Sequence, residues 1–191
     1  MENLENPYVV LLQITDAFEA LHIDYVVVGS IASSIHGEYR ASGDIDVVAD
    51  LNFPHVEPIV STLRDRFYVD DLTIRRAIAN CRAFNVIHTE AIFKVDVFVP
   101  AALGKQQLAR RELHRLDPAQ EQTIWVATAE DTILGKLEWY RKSDETSEIQ
   151  WRDILGIIGT KAVALDFDYL KRWSERFGLA DLLERALKQS Q

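Results

Sequence analysis

The sequence predicts an α+β chain: a mixed β-sheet flanked by helices, followed by a C-terminal helical region. Three observations carry this. Short β-branched runs alternate with helical periodicity up to about residue 127, and helix follows helix from Thr128 onward. The composition, 48% apolar and 27% charged with 8 Gly and 5 Pro in 191 residues, is that of an ordinary globular chain and excludes disordered, collagenous and low-complexity readings. The domains expected are therefore residues 1–127 and a helical region, residues 128–191, packed on the first. At this size roughly 70% of the unfolded surface can be buried, so the core needs no metal or disulfide. Cys81 is the single cysteine and has no internal partner.

Taken in order, Asn6-Pro7 followed by Val10, Leu11, Ile14, Phe18 and Leu21 predicts a capped helix ending near His22. The run Asp24 to Gly29 reads as a buried strand, with Ser30 capping a short helix from Ile31 to His36 that Gly37 stops. Residues 37–43 form a polar loop before a second strand, Asp44 to Asp50. Helices are expected over Pro54 to Phe67 and Asp70 to Asn80. Strands follow at Ala83 to His88 and Ala91 to Val99, joined by a tight hairpin at Thr89-Glu90. A helix over Leu103 to Arg111 and a strand over Thr123 to Ala127 complete the first part. Thr128-Ala-Glu-Asp131 opens a helix to about Lys142, and Ser143 to Glu148 is linker-like. Helices near Ile149 to Ile158, Phe167 to Phe177 and Ala180 to Gln189 close the chain. No internal repeat is visible.

Charge and hydropathy narrow the function classes. With 21 basic against 30 acidic residues the net charge is −9, which disfavours a protein that coats nucleic acid. The apolar runs fall well short of the ~18 residues of a membrane span. The start Met-Glu-Asn-Leu-Glu-Asn-Pro is acidic, with neither a basic beginning nor a cleavable apolar stretch, so a cytoplasmic location without membrane partners is expected.

The chemistry concentrates in three places. Asp44 and Asp46, two apart on a predicted strand, project to one face while Ile45 and Val47 enter the other. Such a pair is either a solvated strand end or a holder of a hard divalent cation, and Mg²⁺ takes one or two carboxylates plus substrate phosphates. Asp96 shares a face with Lys94 and Phe98 inside the strand Phe93-Lys-Val-Asp-Val-Phe-Val99. Beside the Asp44 strand it would bring a third carboxylate, enough to clamp two cations around a transferring phosphoryl group. Gly29-Ser30 stands where a strand ends and a helix begins, a place that points backbone N–H groups at an anion and that is also a common capped turn. It is neither a Walker loop nor a nucleophile elbow.

The joint arrangement is rarer than its parts: a strand, Gly29-Ser30, thirteen residues that begin with a short helix, Asp44-Ile-Asp46, and later Asp96. In it the sequence resembles the nucleotidyltransferase superfamily with the DNA polymerase β-like palm. It is most similar to the bacterial group related to abortive-infection (AbiEii-type) toxins, in which an Arg precedes a small residue, a hydroxyl residue and the Asp-x-Asp, as Arg40-Ala41-Ser42 does here. The likeness continues with Glu130-Asp131, Lys136 and Arg152-Asp153 and spans about residues 20–50, 90–100 and 125–160. Ser30 stands where many relatives carry a second Gly.

The resemblance implies a nucleotidyltransferase moving a nucleoside monophosphate from a nucleoside triphosphate to a hydroxyl on RNA, protein or a small molecule, with a toxin–antitoxin or phage-defence pair as its setting. Asp44 and Asp46 would bind Mg²⁺, and Asp96 would hold a second ion or help deprotonate the acceptor. Gly29 and Ser30 would cradle pyrophosphate. Arg40 and Lys136 would neutralise the triphosphate, Lys136 facing Gly29-Ser30. Asp153 with Arg152 reads as an ion pair orienting the tail. The alternative is a catalytically inactive module that binds nucleotide or a partner protein on the same fold; the three carboxylates favour the enzyme. His22, His36, His55, His88 and His114 lack metal-ligand spacing, and Cys81 lacks a paired His motif. Arg75-Arg76 and Arg110-Arg111 read as solvated faces. Trp139, Tyr140, Trp151 and Trp173 read as helix contacts.

Overall fold

The computed structural model describes residues 6–40, 43–116, 121–161 and 164–190. Ala41 and Ser42 of the Arg40-Ala-Ser motif lie outside the described residues. The chain forms two compact units, one of Met1–Val27 with Ser42–Val126, the other of Val28–Ala41 with Ala127–Gln191. The second unit thus takes in residues 28–41 besides the C-terminal helical region.

Among the described residues, the first unit is built on a mixed seven-stranded sheet. Its strands are β1 (Tyr25–Val27), β2 (Asp44–Ala49), β3 (Phe67–Tyr68), β4 (Ala83–His88), β5 (Lys94–Phe98), β6 (Glu112–Arg115) and β7 (Thr123–Val126), in the order β3-β4-β5-β2-β1-β7-β6. β2 and β5 run parallel, as do β1 and β7, and the other neighbours are antiparallel. Strict alternation places Val95 and Val97 of β5, and Phe84 and Val86 of β4, in the core. The helices of this unit are α1 (Pro7–Ala20), α3 (Val56–Leu63), α4 (Asp71–Asn80) and α5 (Ala102–Arg110). Asn6 caps α1 by accepting the Tyr8 N–H, and α1 buries Val10, Leu11, Ile14 and Phe18 as its periodicity predicts.

Four expectations are corrected. The Pro54 to Phe67 helix is a 3₁₀ turn at Phe53–His55 followed by α3, because Phe67 and Tyr68 leave the helix to pair with β4. Phe67 gains an edge-on contact with the buried His88 ring at 5.0 Å. The β4–β5 connection is five residues long rather than two. There the His88 Nδ1 accepts the Ala91 N–H at 3.0 Å, and Ile92 takes a left-handed backbone, φ 54°, which delays the strand to Lys94. Strand β6 has no counterpart among the expected elements, since an edge strand as exposed as Glu112–Arg115 carries no apolar alternation. Finally, Ser30 does not cap the helix after β1. Gly29 turns the chain at φ +64°, a conformation that a side chain disfavours, so Val28 takes the cap position and Ser30 lies buried in the first turn.

The second unit contains α2 (Gly29–His36), α6 (Ala129–Lys142), α7 (Glu148–Lys161), α8 (Phe167–Phe177) and α9 (Ala180–Gln189). Thr128 caps α6 through the Asp131 N–H, and Asp166 caps α8 through the Tyr169 N–H. Ile133, Leu134 and Leu137 of α6, Ile154, Ile157 and Ile158 of α7, and Leu182, Leu183 and Ala186 of α9 form its core. At Gly37 a Cβ would stand 3.0 Å from the Ile157 backbone nitrogen, so a side chain there would push the α2 end from α7 by a few tenths of an ångström. The tail aromatics make helix contacts: Tyr140 and Trp151 lie 4.9 Å apart under the Arg185 guanidinium, and Trp173 stacks on Phe177. Among the described residues no helix is long and apolar enough to cross a membrane.

Candidate active site

In the first unit, strand register decides which polar side chains meet. Asp46 of β2 pairs with Asp96 of β5, which pairs in turn with Asn85 of β4. One step along the strands, Asp44 pairs with Lys94, which pairs with Ile87. Paired residues project to the same face of a sheet, so the three carboxylates, the ammonium and the amide share one face while Ile45, Val47, Val95 and Val97 fill the core behind them. Two carboxylates directly opposite each other repel, and Lys94 offsets this. Its Nζ donates to Asp96 Oδ2 at 2.8 Å and lies 3.7 Å from Asp44 Oδ1. Asn85 donates its amide to Asp96 Oδ1, so both oxygens of Asp96 have donors. The hydrogen bond to Asp96 holds the Lys94 ammonium above the ordinary lysine range; burial opposes this, and the charges of Asp96, Asp44 and Asp46 reinforce it. The face is open to water, with the Lys94 side chain 42% and that of Asp44 59% exposed.

In the second unit, a buried cluster gathers around Asp153 of α7. Arg40, just past the α2 end, forks onto it, Nε donating to Oδ1 and Nη2 to Oδ2, both at 3.0 Å. Lys136 of α6 donates its Nζ to Oδ2 at 2.8 Å. The Ser33 hydroxyl of α2 lies 3.3 Å from the same oxygen and 3.1 Å from the Ser30 carbonyl. The Asp153 and Lys136 side chains are only 6% and 4% exposed, and that of Arg40 is 25% exposed. Burial pushes the Asp153 carboxyl up, but the hydrogen bonds and charges of Arg40 and Lys136 outweigh it and leave the group below the ordinary aspartate range. The expected Arg152–Asp153 pair is thus replaced: Arg152 is exposed and Asp153 serves Arg40 and Lys136. Consecutive residues of a helix point about 100° apart, and only the inward one can reach α2 and α6. Glu130 and Asp131, also buried, accept from the Asp166 N–H and the Tyr169 hydroxyl and so tie α8 to the start of α6.

No protein-family model matches this chain, and no curated protein matches it. Solved structures do. The lincosamide antibiotic adenylyltransferase LnuA, bound to lincomycin, is 15% identical with a TM-score of 0.50, over 77% of this chain and 93% of that one. An antigenic nucleotidyltransferase-like protein from Paracoccidioides brasiliensis is 17% identical with a TM-score of 0.54, over 98% and 93%. The antibiotic-resistance factor ANT(2'')-Ia is 11% identical with a TM-score of 0.50, over 93% and 96%. The fold is that of the nucleotidyltransferases.

On this nucleotidyltransferase fold the donor set of the sheet face suits a hard divalent cation, since carboxylate oxygens are what Mg²⁺ takes. The arrangement nevertheless contains no trio of His, Cys, Asp or Glu, among the described residues, placed to hold one ion together. A cation approaching Asp96 meets Lys94 on one oxygen and Asn85 on the other. Gly29 and Ser30, Arg40 and Lys136 belong to the helical unit, where α2, α6 and α7 pack on one another. Sequence reasoning missed the part of Asn85, which only the β4–β5 register reveals. It saw Lys94 on the face of Asp96, but the pairing of Lys94 with Asp44 needed the neighbouring strand.

Proposed function

We propose that this chain is a nucleotidyltransferase that transfers a nucleoside monophosphate from a nucleoside triphosphate to a hydroxyl acceptor. The observation that carries the reading is the register pair Asp46–Asp96 with Asp44 on the same face, on a fold shared with adenylyltransferases. Asp44 and Asp46 would hold Mg²⁺, which supplies charge neutralisation at the phosphates and positions the triphosphate. Asp96 beside them would take the proton of the acceptor hydroxyl or contribute to a second ion. The acceptor oxygen then forms a bond to the α-phosphorus as the bond to the bridging oxygen breaks and pyrophosphate leaves. Gly29 and Ser30 would receive phosphate at the start of α2, where helix N–H groups and dipole favour an anion. Arg40 and Lys136 would carry the positive charge that a triphosphate requires, oriented by their shared carboxylate.

The Arg40-Ala-Ser-Gly-Asp-Ile-Asp46 motif supports an AbiEii-type relationship and, with it, a place in a toxin–antitoxin or phage-defence pair with a cognate partner protein. The acceptor is RNA, a protein or a small molecule; the likeness to a lincomycin-bound adenylyltransferase makes hydroxyl-bearing small molecules a class to assay beside RNA. Incubation with each labelled triphosphate, Mg²⁺ and a cell extract should label one class of acceptor. Asp46→Asn should reduce that transfer by about 10²-fold or more, as for losing one preorganised electrostatic contact. Absence of labelling with every triphosphate and acceptor pool would leave the nucleotide- or partner-binding module as the reading.

A further inference from the structure

The carboxylate face of the sheet already contains a cation, and the backbone puts it there. Lys94 is two residues from Asp96 on β5, hence on the same face, and is the register partner of Asp44 on β2. Its ammonium sits between the two carboxylates, 2.8 Å from Asp96 Oδ2 and 3.7 Å from Asp44 Oδ1, and needs no loop to move to reach either. Asp96 is engaged on both oxygens, by Lys94 and by the amide of Asn85. Two divalent ions on the three carboxylates would have to displace Lys94 or tolerate its charge at contact distance. One divalent ion together with Lys94 brings the same three carboxylates to neutrality.

We propose that Lys94 takes the place of the second divalent cation, so that this chain works with a single ion held on the Asp44–Asp46 side of the face. The inference rests on the nucleotidyltransferase reading and sharpens it. It assigns Lys94 a charge-compensating role at Asp96, with Asn85 fixing the carboxylate so that the ammonium meets one oxygen. The three carboxylates would then be balanced by one mobile ion and one tethered ammonium, and the tethered charge cannot be removed by a chelator.

The test counts ions rather than turnover. Mn²⁺ bound per chain is titrated by the loss of its free-ion paramagnetic signal, in the presence of a saturating non-hydrolysable triphosphate analogue and corrected for Mn²⁺ bound by the analogue alone. Wild type should saturate at one ion, Lys94→Met at two, and Lys94→Arg, which keeps the charge, at one. Because Lys94 is substantially exposed, the Met variant should keep its fold, which circular dichroism verifies. Wild type binding two ions, or Lys94→Met still binding one, would overturn the proposal while leaving the nucleotidyltransferase reading intact. No ion on any of the three proteins would overturn both.

Discussion

The sheet face and the helical cluster pair the same chemical groups, aspartate with lysine or arginine, yet their surroundings give them different work. On the sheet, Lys94 and Asp44 are bathed in water, so their attraction is screened and the face stays open to an incoming ion. Around Asp153, the carboxylate and the Lys136 ammonium are almost wholly out of water, so removing one partner strands the others in a medium that solvates them poorly. An exposed pair leaves its face open to an arriving ion. A buried one holds its cations in fixed positions.

That contrast can be broken most directly at Asp153. Asp153→Ala leaves Arg40 and Lys136 without their shared carboxylate and should lower the unfolding free energy by about 3–5 kcal/mol, read from urea denaturation. A loss under about 1 kcal/mol would place this cluster in the same class as an exposed pair. A milder change, Arg40→Lys, retains the charge but gives up the fork. A cost of about 1–2 kcal/mol is expected, together with a loss of the bidentate contact visible in a crystal structure of the variant.

Acid should separate the regions in another way. The Asp153 carboxyl is held below the ordinary aspartate range in the folded chain, so its stabilisation is fully present above the unfolded value of about 3.9 and is lost as pH falls through the lower folded value. Wild type should therefore lose stability on acidification below about pH 4 more steeply than Asp153→Asn, which has no such proton to bind. Parallel unfolding curves between neutral pH and pH 2 would contradict the assignment. The smallest effect is expected on the sheet: Lys94→Ala should change stability by less than about 1 kcal/mol, and that change should shrink further in high salt. A larger, salt-insensitive loss would mean that Lys94 is structural rather than a solvent-screened counter-charge.

Local pattern was enough for much of this molecule. The caps at Asn6 and Thr128 follow from residue type, and the helices Phe167–Phe177 and Ala180–Gln189 and the alternation that turns Asp44, Asp46 and Asp96 away from the core follow from residue periodicity, because a helix or strand fixes side-chain direction within a few residues. The tertiary structure alone decided which polar groups meet. Asn85 reaches Asp96 only because β4 pairs with β5 in one register, and Asp46 stands opposite Asp96 only because β2 lies parallel beside β5. Arg40 and Asp153 are 113 residues apart in the chain, and nothing in the sequence near either one marks the other. Pairing across that distance is set by the packing of α2, α6 and α7, where Gly37 allows the close approach and burial strengthens the ion pair, and neither cause has a local signature.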